Sequence, residues 1–212
     1  MKNHRLLLAL ALALLTVRCS DGRDLFSAGL GEWGADVMTP EVAASHTLHQ
    51  DASAPALETY QLSFWVSRNT PTDVRVDYLP AAGQREGDRF LQFQIPAGGI
   101  AQLPGGNPLG RHDSVEITLT IDPSLLSVHF EPSGLIFKQG RSAANLTIWY
   151  GHADPDLNSD GVVDDTDWQL ASQIAIWYEG RHRVRRIRSE NDWFRQKVTG
   201  KLPHFSEYAV SW

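Results

Sequence analysis

Cysteine is almost missing from this chain. Its 212 residues contain one, Cys19, so no internal disulfide can form and stability has to come from a packed core. The common catalytic signatures are absent too: no G-x-S-x-G elbow, no H-E-x-x-H pair and no phosphate-cradling G-x-x-x-x-G-K. Long apolar runs occur only at residues 6–17, behind a basic start that carries Lys2 and Arg5. That run is too short to span a bilayer and reads as a signal peptide over residues 1–18, which implies export. Basic charge is in deficit, with 19 Lys and Arg against 25 Asp and Glu. Removing residues 1–18 takes away Lys2, Arg5 and Arg18 and leaves 16 against 25. An exported acidic chain is a poor nucleic-acid binder, and none is expected as a partner.

What the chain does contain is a twelve-residue segment, 156–167, reading D-L-N-S-D-G-V-V-D-D-T-D. Oxygen-bearing side chains recur at its first, third and fifth positions, Asp156, Asn158 and Asp160. Gly161 follows at the sixth, where a sharp turn around an ion demands glycine. Val162 offers a carbonyl, Asp164 a direct or water-mediated contact, and Asp167 the closing carboxylate. Val163 is expected to point inward as the apolar anchor. Four carboxylates brought together would repel one another without a cation, so the pattern points to Ca2+. An Asp-rich turn that binds nothing is the plain alternative. The segment resembles an EF-hand, and within that group the dockerin-type loop, which often closes with Asp. A dockerin carries two loops in tandem and a calcium sensor carries paired loops between helices. This chain has one loop, preceded by a strand-like run at 145–150 and followed by the start of a helix at 165–171. The resemblance therefore implies the metal ligands, without the partner recognition or the switching.

Cys19 stands directly after the apolar run. Leu15-Thr16-Val17-Arg18-Cys19 resembles a bacterial lipoprotein cleavage site, with Arg18 where a small residue is usual. The resemblance implies a lipidated Cys19 and a membrane anchor, and ordinary secretory cleavage near Cys19 or Ser20 is the alternative. Residues 19–57 are small and polar without a sustained apolar period, and read as a flexible tether. From 58 to 212 short alternating runs are separated by Gly, Pro, Asn and Asp, as in an antiparallel all-β domain. The clearest run is 115–121, where Val115, Ile117, Leu119 and Ile121 alternate with polar residues. Similar runs at 60–66, 74–78, 90–95, 126–130, 146–150, 174–178, 198–202 and 208–212 predict an antiparallel β-sandwich with one short helix. Most tryptophans of these runs, Trp65, Trp149, Trp177 and Trp212, are expected in the core or on a sheet surface.

A second resemblance rests on the I-P-A-G turn at 95–98, the F-E-P-S-G-L segment at 130–135, the L-T-I-W-Y strand at 146–150 and the ending 198–212. This order is similar to the ZU-five type β-sandwich of ankyrins, netrin receptors and exported bacterial proteins. It implies a structural or interaction module, here interrupted by the calcium loop.

The mature histidines are dispersed, and acidic pairs such as Glu116 and Asp122 do not by spacing establish the two facing carboxyls of a glycosidase. Arg181, Arg183, Arg185, Arg186 and Arg188 form a basic hairpin. It is either a solvated edge or a contact for anionic headgroups or polysaccharide. The leading expectation is a non-enzymatic, exported, membrane-anchored calcium-binding β-sandwich with a structural or interaction role in the bacterial cell envelope. The alternatives are a calcium-dependent glycan- or protein-binding module and, more weakly, a glycan-active hydrolase.

Overall fold

The computed structural model describes residues 37–180 and 183–212. The segment 1–18 read as a signal peptide, Cys19 and the first part of the expected tether lie outside the described residues, as do Arg181 and His182. Fourteen strands, all paired antiparallel, make the described chain an all-β structure. They are β1 (Val37–Met38), β2 (Gln61–Ser67), β3 (Thr72–Asp77), β4 (Arg89–Ile95), β5 (Ile100–Gln102), β6 (Ser114–Asp122) and β7 (Ser127–Glu131). Then come β8 (Ile136–Phe137), β9 (Ala144–Trp149), β10 (Ala175–Glu179), β11 (Val184–Arg186), β12 (Ser189–Asp192), β13 (Lys197–Leu202) and β14 (Glu207–Ser211). One sheet runs β1-β11-β10-β14-β7-β6-β2, a second runs β12-β13-β9-β4-β3, and β5 pairs with β8 apart from both.

Alternation makes the strands and supplies the core. Along β6, Ile117, Leu119 and Ile121 are buried while Glu116, Thr120 and Asp122 face water, as period-two patterning requires. Both sheets feed one buried cluster, in a sandwich-like arrangement. Phe93 of β4 in the five-stranded sheet meets Phe130 of β7 in the seven-stranded sheet at 4.7 Å between ring centroids. Phe130 in turn stacks on Phe205 at 4.9 Å with the rings 7° from parallel. These rings join the two layers at their centre.

Residues 37–57 differ from the expected tether. Among the described residues there are two α-helices where one was expected, and the additional one, α1 (Pro40–His46), lies in this segment. Thr39 caps it, its hydroxyl accepting from the Val42 amide at 3.4 Å, and Pro40 occupies the first turn where its missing N–H costs nothing. Ala43 of α1 packs with Met38, Ala175 and Trp177. Beyond the helix the Leu48 amide donates to the Val210 carbonyl at 2.9 Å, and the Leu48 and Leu57 side chains enter the core. The physical reason is that a segment can be held by two well-spaced anchors and backbone bonds without any period of its own.

Of the basic segment, Arg183 precedes β11, Arg185 and Arg186 lie in it, and Arg188 follows it. Arg183, Arg185, Arg186 and Arg188 are exposed, and β1 pairs with β11, so this side of the sheet is closed by backbone as well as shielded by charge. Among the described residues no helix is long and apolar enough to cross a membrane.

Candidate metal centre

The segment 156–167 lies in the connection from β9 to β10, where the chain passes from one sheet to the other. It is shaped by its own side chains. Asp156 accepts from the Asp160 amide at 3.1 Å through Oδ1 and from the Gly161 amide at 2.8 Å through Oδ2. Asn158 Oδ1 accepts from the Asp160 amide at 3.0 Å, and Asp160 Oδ1 accepts from the Val162 amide at 2.9 Å. Short acidic and amide side chains fold the chain back on itself in this way because they reach backbone donors two residues on. Ser159 and Gly161 both take positive φ, 57° and 86°, and Gly161 supplies the turn that its place in the motif requires.

Asp167 closes the loop. Its Oδ1 accepts from the amides of Leu157 at 2.8 Å and Asn158 at 3.2 Å, and its Oδ2 accepts from the Asp164 amide at 2.9 Å. The residue is only 3% exposed. Burial pushes its pKa up, but the donors from Asp164, Asn158 and Leu157 outweigh it and hold the carboxyl below its ordinary 3.8. The same contacts form a capping box at the start of α2 (Asp165–Ala171): Asp164 caps the helix, accepting from Thr166 N at 2.7 Å, and Asp167 reaches back to the cap.

Of the six expected ligands, the structure joins Asp156, Asn158 and Asp160 in one turn, with a further bond from Asn158 Nδ2 to Asp160 Oδ2 at 2.9 Å. Asp167 is brought onto the turn's first residues. Asp164 is directed to the helix amides, and the Val162 side chain lies in solvent. Val163 departs from its expected inward position, being 51% exposed, because a lone loop offers no second loop to cover it. Among the described residues no three His, Cys, Asp or Glu side chains are grouped as they are around a metal. The loop's carboxylates are turned to its own amides. The donor set is all hard oxygen, the chemistry calcium takes, and each ionised carboxylate keeps acceptor capacity beyond these bonds.

A hydrogen-bond chain ties the loop's helix to the sandwich. The Tyr150 hydroxyl, its pKa pushed up to about 12 by burial, donates to Asn191 Oδ1 at 2.6 Å. Asn191 Nδ2 donates to the Ala171 carbonyl at the end of α2 at 2.8 Å. Beside α2 opens a cleft whose exposed aromatic residues carry no sequence motif: Trp168, on the helix, and Trp193, in the β12–β13 turn, where the exposed Phe194 is its neighbour in sequence. The signal available in the sequence was the pair Trp193-Phe194 between Asp192 and Arg195, bulky aromatics where tight turns favour Gly, Asn, Asp or Ser. No known protein family, curated protein or solved structure matches this chain.

Proposed function

We propose that this chain is an exported, non-enzymatic calcium-binding protein of the cell envelope, a ZU-five-like β-sandwich whose 156–167 loop holds Ca2+ to fix one sheet crossover. Asp156, Asn158, Asp160, Val162, Asp164 and Asp167 are the ligands, and Cys19 is the lipid anchor. The observation that carries the metal reading is the folding of Asp156, Asn158, Asp160 and Asp167 around one Gly161 turn, with Asp167 returning across ten residues to the Leu157 amide. Calcium chemistry needs oxygen donors on a loop closed in this sense.

A single unpaired loop in an exported chain belongs to the weak class, with a dissociation constant on the order of 0.1–1 mM. At a free concentration several times that constant, linkage adds about 1 kcal/mol. A melting temperature higher by about 2–4 °C is expected for a domain of this size. Titration calorimetry and thermal melts in calcium, magnesium and EDTA test the reading. Asp160→Ala should remove the calcium-dependent rise and leave the fold intact. Absence of calcium binding at millimolar concentration, or full replacement by magnesium, would leave the loop as an acidic turn.

The second reading, a glycan- or protein-binding module, is favoured by one observation: the exposed side chains Trp168, which follows the loop, and Trp193 line one cleft.

A further inference from the structure

We propose that the cleft between α2 and the β12–β13 turn binds a neutral saccharide. Trp168 from the helix and Trp193 from the turn border a hollow of about 370 Å3, and a second hollow of about 280 Å3 adjoins it. Tyr150, Trp168, Ala171 and Gln196 line both. Two neighbouring hollows of this size accommodate a chain of linked rings better than a single small ion.

The aromatic side chains are not there for the core. Trp168 is 59% exposed and Trp193 62%. Two large exposed side chains lining one hollow call for an explanation that isolated ones do not. Gln196 supplies the polar group. It ends the four-residue turn between β12 and β13 with positive φ, 47°, as the hairpin connection requires of its last residue. Its side-chain Oε1 passes so close to Gly151 that a Cβ there would lie 3.1 Å from it. A side-chain amide thus stands where the two hollows meet.

The chemistry of the walls selects the ligand. Asp51 and Asp154 border the smaller hollow, so an anionic ligand is repelled. A wholly apolar ligand would bury the Gln196 side-chain amide without offering it a partner. A quaternary ammonium ion suits aromatic and acidic walls, yet it cannot use the amide's donors and acceptor. A neutral sugar satisfies all of them: its C–H faces pack on indole and its hydroxyls both donate and accept. This proposal deepens the binding-module reading. It rests on the calcium reading only in that α2, which carries Trp168, starts at the loop.

Cellotetraose, chitotetraose and maltotetraose serve as probes, followed by tryptophan fluorescence and calorimetry in calcium and again in EDTA. At least one should bind at millimolar concentration or below. Trp193→Ala and Gln196→Ala should each weaken it at least about tenfold, with unchanged far-ultraviolet circular dichroism. Trp65→Ala, on β2 of the seven-stranded sheet, should bind as the parent does. Failure of all three sugars, choline or a phenylalanyl tripeptide binding in their place, or parental affinity in Trp193→Ala overturns the proposal. Sugar binding equal in EDTA upholds the cleft and leaves calcium to its own titration. Calcium binding without sugar binding sinks the cleft alone.

Discussion

Gly87 illustrates how little space single residues have in this fold. A Cβ placed on it would fall 1.7 Å from the Tyr78 carbonyl oxygen, a backbone atom that cannot swing aside. Gly87→Ala should therefore destabilise the protein by about 1–3 kcal/mol or more, read from the midpoint of urea unfolding. At Asp167 the effect depends on acidity. Its folded-state pKa lies below the ordinary value, so the native state holds the proton more weakly than the unfolded chain. The resulting stability is fully present above about pH 4 and is lost as pH falls through the folded value. Asp167→Asn should cost about 1–2 kcal/mol at neutral pH and flatten the acid limb of stability against pH, measured by urea midpoints from neutral pH downward. The positions of Asp156, Asn158, Asp160 and Gly161 were legible in the sequence because each acts on backbone within a few residues. Val163 was not, since its burial depends on what packs over it. Neither were Trp193 and Gln196, whose meaning comes from Trp168 and Tyr150, distant in sequence.

Among the elements, the folded stretch 37–57 carries the sharpest test. Leu48 is 1% exposed and held by its amide to Val210. Leu48→Ala should cost about 2–5 kcal/mol, where an unattached tether would register almost nothing in the same denaturant titration. Asn191→Ala should free the end of α2 from the sandwich and leave the buried Tyr150 hydroxyl unpaired, at about 1–3 kcal/mol, with faster amide hydrogen exchange confined to 156–173. All nine strands predicted by alternation are present to within two residues at each end, since one buried face imposes a period on the chain itself. The short β1, β5, β8, β11 and β12 escaped because they show too few periods to read. β11, with sequence Val-Arg-Arg, is a strand only because β1 and β10 flank it.

For the molecule as a whole, the two sheets share a single core, and their melting should be one cooperative transition. Phe93→Ala should lower it as a unit by about 3–5 kcal/mol, with circular dichroism and tryptophan fluorescence moving together. The order of the larger sheet has a temporal side. Its middle position belongs to β14, the last of the fourteen strands along the chain, between β10 and β7. A chain still emerging from synthesis thus holds two half-sheets, β1-β11-β10 and β7-β6-β2, with facing edges open and β14 not yet there to bridge them. Until residues 207–211 arrive, those edges are free to pair with any neighbour's backbone, so the hazardous interval for this sheet is the one between the appearance of β10 and the arrival of β14.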